Sequence, residues 1–198
     1  MKKLLITGFD PFAGSHVNPA WLAVESLPDI IGDFVLYKLP IPTVFEKASY
    51  LVMERAAQIR PDVILCIGQA GGRDAVTPER FGVNIRDARI ADNEGNQPRG
   101  QRIAPDGPAA YFATVSVEAM AQAARDAGVP AAVSNSAGAF VCNDTLYSLL
   151  HHFSGTDVKV GFIHVPYLPE QGNPSMPLCQ TVAGLKAMIN VCLNHECG

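Results

Sequence analysis

Short apolar runs rich in β-branched residues alternate along this chain with longer stretches whose apolar residues recur at helical spacing. A run of about four to eight such residues has the length of a strand, whereas each longer stretch carries one apolar face. This alternation is typical of α/β layer folds, in which helices cover a sheet. The predicted strands are Lys3–Thr7, Phe34–Leu39, Val63–Gly68, Ala131–Ser134 and Lys159–Val165.

Three of the longer stretches have the apolar faces and the ends that helices need. Thr43 and Glu46 have the spacing of a capping box and Pro61 follows, so one helix is predicted between them. A second helix is predicted from Ser116 to Ala127, and a third begins near Met176. The buried stripes are predicted to be Ala48, Val52, Ala56 and Ile59; Val117, Met120, Ala121 and Ala124; and Leu178, Val182, Leu185, Ile189 and Cys192.

Length, composition and charge favour a single globular domain over residues 1–198 and exclude some partners. The chain is 48% hydrophobic and 17% charged, and one domain commonly has about 100 to 200 residues. A formal charge of −4 without a Lys/Arg cluster argues against nucleic acid or an anionic membrane as partner. No apolar run approaches the roughly 18 residues of a membrane span, so no membrane association is expected.

The five cysteines argue against a disulfide framework. Their number is odd, they form no CxxC pair, and the apolar start at Leu4–Ile6 is too short for a signal peptide. We therefore expect a cytoplasmic protein, and no histidine spacing predicts a metal site. The glycine-rich segment 68–72 matches neither GxGxxG nor a P-loop, which argues against nucleotide binding. Cys66 in a strand, and Cys179 and Cys192 on the last helix, are interpreted as small buried hydrophobes.

Between Gly68 and Pro108 the periodicity is lost, and Gly, Pro, Asn, Asp and Arg accumulate. Long irregular segments in compact domains are uncommon and are usually functional or disordered. Apolar residues and a strand-like piece at Phe81–Ile85 interrupt this one, which favours a structured functional loop.

Cys142 is the candidate nucleophile. It lies between a predicted strand and the helical run Leu146–His152, so a turn ending near Val141 would place it at a helix N-terminus. The helix dipole and free N–H groups there can lower a thiol pKa, and the same groups can stabilise an oxyanion.

His164 is the candidate base, because it ends a predicted strand at a sheet edge where ligand sites of α/β folds gather. Two carboxylates could orient it. Glu79 lies in the irregular segment, and Glu170 follows His164 by six residues. A Cys/His/Glu set with a nearby acid is similar to class I glutamine amidotransferases, but the sequence around Cys142 lacks their Gly-flanked elbow. Spacing leaves both acids open.

Seven blocks of the sequence, in order, resemble the pyroglutamyl-peptidase I family, also called pyrrolidone carboxyl peptidases. One block alone would be weak evidence, whereas several in order over most of the chain are highly specific. The blocks are TGFDPFAGSHVNPAW at 7–21, LPIPTVF at 39–45, CIGQAGGR at 66–73, TPERFGVNIRDARIADNEGNQP at 77–98, DGPAAYFAT at 106–114, SNSAGAFVCN at 134–143 and GFIHVPYLPEQ at 161–171.

The resemblance implies an α/β fold, a three-layer α/β/α sandwich with a mixed twisted sheet. It implies a cysteine exopeptidase that removes an N-terminal pyroglutamyl residue through a thioester, with Cys142 as nucleophile, His164 as base and Glu79 as acid. It also implies no metal or cofactor, peptides with N-terminal pyroglutamate as partners, a cytoplasmic location and a homotetramer. The implied substrate-binding residues are Phe9, Phe12, Gln69, Arg89, Ile90, Phe140 and Val141, with Arg89 near the oxyanion.

Pyroglutamate is a neutral lactam, so phenylalanines that clasp the ring and amides that bind its N–H and C=O suit it. The sequence departs from the family pattern at Ala13, at Phe81-Gly82 and at Ala139, which puts turnover and pocket fit in question more than reaction class. Two other hypotheses remain: another Cys/His/Glu amidase, such as a deamidase, and a catalytically silent small-molecule binding protein.

Overall fold

A computed structural model describes residues 1–193, which form eight strands and five helices. The strands are β1 (Lys2–Phe9), β2 (Ile30–Ile31), β3 (Phe34–Ile41), β4 (Val63–Gln69), β5 (Thr77–Pro78), β6 (Phe81–Val83), β7 (Ala110–Phe112) and β8 (Lys159–Val165). The helices are α1 (Pro19–Glu25), α2 (Lys47–Ile59), α3 (Val117–Asp126), α4 (Val141–His152) and α5 (Leu178–Val191).

The main sheet has six strands in the order β2-β3-β1-β4-β8-β5. Its four central strands are parallel, and the two short edge strands, β2 and β5, run antiparallel to their neighbours. The strands β6 and β7 form a separate antiparallel ribbon. The predicted mixed sheet is therefore confirmed.

Helices cover both faces of this sheet. In β1, Leu4 and Ile6 pack in one core with residues of α1, α3 and α5, whereas Leu5 packs in a second core with residues of α2 and α4. Alternate side chains of a strand point to opposite faces, so a central strand buried on both sides must be apolar throughout. The predicted three-layer α/β/α sandwich is confirmed.

One predicted strand is wrong. Ala131–Ser134 forms isolated bridges, from Ala131 to Val76 and from Ser134 to Glu79, along the outer side of β5. Pro78 lies between those bridges and has no N–H to donate, so the ladder on that edge is interrupted. The other four predicted strands are confirmed within two residues at each end.

The predicted helices are present and their ends fit, but the capping box is wrong. Thr43 donates its hydroxyl to the Asp10 carbonyl, and its N–H binds the Asp10 carboxylate at 2.6 Å. The Glu46 carboxylate binds Arg86 instead of a helix N–H. The stripe of α2 is buried as predicted, and so is that of α3.

The prediction that the cysteines of the last helix are buried is half right. Cys66 and Cys192 are buried, but Cys179 is exposed. Cys179 lies in the first turn of α5, off the buried stripe that Thr181 and Leu185 begin. His195 and Cys197, for which no role was predicted, lie outside the described residues. No helix within residues 1–193 is long and apolar enough to cross a membrane.

Candidate active site

His164 is the penultimate residue of β8, where strand pairing brings three elements together. Its register partners are Gly68 in β4 on one side and Thr77 in β5 on the other. Glu79 follows β5 directly, and its N–H donates to the Phe162 carbonyl at 2.9 Å, which continues the pairing by one residue. The carboxylate thereby reaches the histidine ring, with 2.7 Å between Glu79 Oε1 and His164 Nδ1.

The structure distinguishes between the two candidate acids by position. Glu79 is fully buried and contacts His164, whereas Glu170 is exposed and has no hydrogen bond to the ring. Because the carboxylate accepts from Nδ1–H, it holds the tautomer whose Nε2 carries a free lone pair. The ring is therefore oriented as a base would be.

Cys142 is the second residue of α4, as the sequence predicted for a turn ending near Val141. Phe140 is extended and provides no side-chain cap, so the first N–H groups of the helix stay free for another acceptor. Cys142 is half-buried and lines the same cavity as His164. A Cβ on Gly68 would lie 3.1 Å from Cys142 Sγ and 2.7 Å from the Phe162 ring, so β4 needs a glycine there.

Arg73 is a site residue that the sequence analysis did not single out. Its Nη1 lies 2.7 Å from Glu79 Oε1, and it also donates to the Thr77 hydroxyl. Its Nη2 donates to the Ser136 carbonyl at 3.0 Å, which ties the loop after β4 to the loop before α4. The sequence did contain a signal for Arg73. This arginine follows two glycines shortly after a predicted strand and precedes Glu79 by six residues.

The electrostatics of the three groups follow from burial and from each other. Burial acts to raise the pKa of Glu79, but the hydrogen bond and charge of His164, together with Ser134 and Arg73, lower it overall. Burial lowers the pKa of His164, and Glu79 opposes this in part. Both directions favour an ionised carboxylate beside a neutral imidazole.

The nucleophile departs from the expectation of a lowered thiol pKa. Burial, followed by the charge of Glu79, raises the pKa of Cys142 to about 12. The charge of Arg73 opposes this rise of the pKa, as does a hydrogen bond from the Cys142 N–H. These directions favour a protonated thiol and a neutral imidazole in the same cavity, so attack by sulfur requires removal of the thiol proton.

The cavity in front of these groups has a volume of about 640 Å³ and is mostly apolar. Aromatic rings form one part of its wall, with Phe12 and Phe140 at a centroid distance of 6.2 Å. Ile90 is 47% exposed at the rim. Of the seven predicted substrate-binding residues, six line the cavity: Phe9, Phe12, Gln69, Arg89, Ile90 and Phe140. Val141 is fully buried in the core behind Phe140 and is not among the lining residues.

This arrangement is suited to acyl transfer. A thiol, a base oriented by a buried carboxylate, and free N–H groups at a helix N-terminus converge on one cavity. Within residues 1–193, no group of three or more His, Cys, Asp or Glu side chains is placed to hold a metal ion.

The sequence model of the pyroglutamyl peptidase family matches residues 2–195 of the chain. The chain belongs to this family. The pyrrolidone-carboxylate peptidase of Staphylococcus aureus (strain Newman) is 50% identical over 200 residues, which span 98% of this chain and 94% of the relative. That of Bacillus cereus (strain G9842) is 45% identical over 204 residues, spanning 99% and 95%.

Solved structures of pyroglutamyl peptidases have the same fold. The crystal structure of pyroglutamyl peptidase I from Bacillus amyloliquefaciens superposes with a TM-score of 0.95 at 43% identity, covering 99% of this chain and 98% of that one. The pyrrolidone carboxyl peptidase from Thermococcus litoralis has a TM-score of 0.92 at 36% identity, covering 97% and 93%. The predicted family and the class of cysteine peptidase are thus confirmed.

The positions at which this chain departs from the family pattern differ in whether they line the cavity. Gly82 faces α4, where an added Cβ would lie 3.0 Å from Tyr147 Cα, and Phe81 packs on Phe112 with centroids 4.7 Å apart. Neither Phe81 nor Gly82 lines the cavity, whereas Ala139 does. Ala139 is therefore the departure that bears on pocket fit.

Proposed function

We propose that this chain hydrolyses the peptide bond after an N-terminal pyroglutamyl residue, with Cys142 as nucleophile, His164 as base and Glu79 as the orienting acid. Family membership supports the substrate class. The observation that carries the assignment of roles is the contact between Glu79 and His164 at 2.7 Å, beside a cavity that also contains Cys142.

In the proposed reaction, His164 Nε2 removes the thiol proton of Cys142 as sulfur attacks the pyroglutamyl carbonyl carbon. The imidazolium that forms is stabilised by Glu79, and it then protonates the leaving amine as the C–N bond breaks. Water, deprotonated by the same imidazole, cleaves the resulting pyroglutamyl thioester and restores the thiol. The cycle consumes one water and releases pyroglutamate and a shortened peptide.

The tetrahedral oxyanion would be stabilised by the free N–H groups at the start of α4, with Arg89 at the cavity wall as a cationic partner. Each lost donor of this kind costs about 3 kcal/mol of transition-state stabilisation. The aromatic wall formed by Phe9, Phe12 and Phe140 suits a flat neutral lactam. Under this proposal residues 1–198 act as one catalytic domain, in the cytoplasm, as a homo-oligomer of four chains.

Release of a chromogenic amine from its pyroglutamyl derivative, compared with the prolyl and glutamyl derivatives, tests the proposal. We expect rapid release from the pyroglutamyl compound alone, and none by Cys142→Ser. A pyroglutamyl chloromethyl ketone should label the wild type once per chain and leave Cys142→Ser unlabelled. Equal rates on the three derivatives would refute lactam specificity, and an unlabelled wild type would favour a silent binding protein. A requirement for Glu170 in place of Glu79 would favour another amidase.

A further inference from the structure

Gln171 has a side-chain amide whose orientation is fixed by the main chain. The Leu168 N–H, which can only donate, lies 2.9 Å from one end of this amide, so that end is Oε1. The Val17 carbonyl, which can only accept, lies 3.4 Å from the other end, so that end is Nε2. Two main-chain groups of opposite character therefore give the same orientation.

The orientation of the Gln171 amide determines that of the Gln69 amide. Gln171 Nε2 donates to the amide of Gln69 at 3.0 Å, so the atom of Gln69 that faces it is Oε1. The other end, Gln69 Nε2, then has no hydrogen-bond partner within the described residues, although Gln69 lines the cavity. Its main chain is fixed as the last residue of β4, paired with Val165.

We propose that Gln171 is a positioning residue that sets the polarity of the pocket. By occupying Gln69 Oε1, it leaves Gln69 Nε2 as a donor toward the cavity, where it binds a carbonyl oxygen of the ligand. This rests on the proposed function, under which the carbonyl is that of the lactam ring. A pyrrolidine ring lacks that carbonyl and would leave Gln69 Nε2 unpaired. A site that hydrogen-bonds one group of its ligand rejects an analogue that lacks this group.

Two substitutions of Gln171 distinguish a role in setting the orientation of the Gln69 amide from a role in tethering the loop that carries Gln171. In Gln171→Glu, both carboxylate oxygens accept, so Gln69 must turn its Nε2 toward residue 171 and present Oε1 to the cavity. In Gln171→Met, the connection is lost and Gln69 is free to adopt either orientation. If polarity matters, Gln171→Glu is the worse variant. If Gln171 only tethers its loop, Gln171→Met is the worse one, because Gln171→Glu keeps the contacts with the Leu168 N–H and with Gln69 and loses only the longer donation to the Val17 carbonyl at 3.4 Å.

The measurements are kcat and KM for a chromogenic pyroglutamyl substrate and the inhibition constant of 2-pyrrolidone, a minimal neutral lactam. We expect the inhibition constant to rise about tenfold in Gln171→Met, the effect of one neutral hydrogen bond, and on the order of 100-fold in Gln171→Glu, where two acceptors face each other. KM should follow, whereas kcat and the rate of Cys142 alkylation by iodoacetamide should change little.

A variant on the other partner provides the second route if Gln171→Glu fails to fold. Gln69→Glu keeps an acceptor toward Gln171 but replaces the donor in the cavity by oxygen, so it should weaken 2-pyrrolidone as strongly as Gln171→Glu does. Equal inhibition constants in all variants, or a larger loss in Gln171→Met, would overturn the proposal.

The proposed function can fail separately. If the wild type released no amine, protection of Cys142 from iodoacetamide by 2-pyrrolidone would still rank the variants. Protection in the order wild type, Gln171→Met, Gln171→Glu would support the polarity proposal without the peptidase activity, and protection that ignores the substitutions would overturn it.

Discussion

Two fully buried carboxylates of this molecule each contact an arginine at nearly the same distance. Arg73 Nη1 lies 2.7 Å from Glu79 Oε1, and Arg86 Nε lies 2.6 Å from Asp144 Oδ1. Both pairs lie close to Cys142 in the fold, one at the sheet edge and one in the first turn of α4. The surroundings of the two pairs, however, have opposite effects on the acid.

Burial raises the pKa of Asp144, and Arg86 with the Glu46 N–H offsets this only in part. Glu79 has the same burial cost, but its additional contact with His164 brings its pKa below the ordinary value. A buried acid paired with arginine is thus a structural link between segments. Under the proposed function, Glu79 is also part of the reaction centre, because His164, which can gain and lose a proton, contacts its carboxylate and lines the cavity.

Exchange of the two acids for their amides should separate these roles most strongly. Glu79→Gln should lower kcat for a pyroglutamyl substrate by a factor on the order of 10⁴, because the amide no longer stabilises the imidazolium or selects its tautomer. Asp144→Asn serves as the matched control and should keep kcat within a few-fold. A loss in both variants of equal size would contradict the division into a reactive and a structural acid.

Stability should respond in the reverse order. Asp144 links α4 to Arg86 and to the N–H of Glu46, so Asp144→Asn should lower the free energy of unfolding by about 3 kcal/mol, as for a broken buried pair. In Glu79→Gln the loss should be smaller, because Arg73 is 27% exposed and can turn toward water. Urea unfolding of the two variants beside the wild type measures this, and the opposite ranking would contradict it.

The two arginines should differ in their effect on the pH profile. Arg73 lowers the pKa of His164, so Arg73→Met should move the acidic limb of kcat/KM to higher pH and lower kcat about tenfold through one lost charge-assisted hydrogen bond. Arg86→Met should leave the profile in place, because Arg86 contacts Asp144 and Glu46 rather than the histidine. Coincident acidic limbs of kcat/KM in the wild type, Arg73→Met and Arg86→Met would show that Arg73 is only structural.

The smallest effect concerns the change of stability with pH. The pKa of Glu79 is lowered, so its contribution is complete above 4.5 and is lost as the pH falls through the lowered value. The pKa of Asp144 is raised above 3.8, so acidification through that raised value stabilises the fold. Relative to the wild type, Glu79→Gln should therefore lose less stability on acidification and Asp144→Asn more. Differences from the wild-type slope that have the same sign in both variants would contradict this.

The sequence predicts those site residues whose positions depend on a single helix or a single strand. Cys142 and His164 could be predicted because a helix start and a strand end are visible in local patterns. Glu79 could not be chosen over Glu170 without the family resemblance, because its contact depends on the pairing of a two-residue strand. The spacing of apolar residues cannot predict a strand of two residues.

The contacts that sequence reasoning missed include several between segments that are distant in sequence. Arg86 and Asp144 are 58 residues apart, and Arg73 joins Glu79 to the carbonyl of Ser136, 63 residues from it. Such contacts form only when the fold brings these segments together. The capping box at Thr43 failed for the same reason, since Asp10, which directly follows β1, accepts hydrogen bonds from the N–H and the hydroxyl of Thr43.

The pairing of β5 with β8 has a consequence for how the gene can change. Thr77 faces His164 and Pro78 faces Ile163, so the approach of Glu79 depends on the register of two residues. A shift by one would turn the carboxylate to the other face of the sheet. A single inserted codon between Pro78 and Glu79 should therefore abolish activity while leaving the rest of the sheet intact.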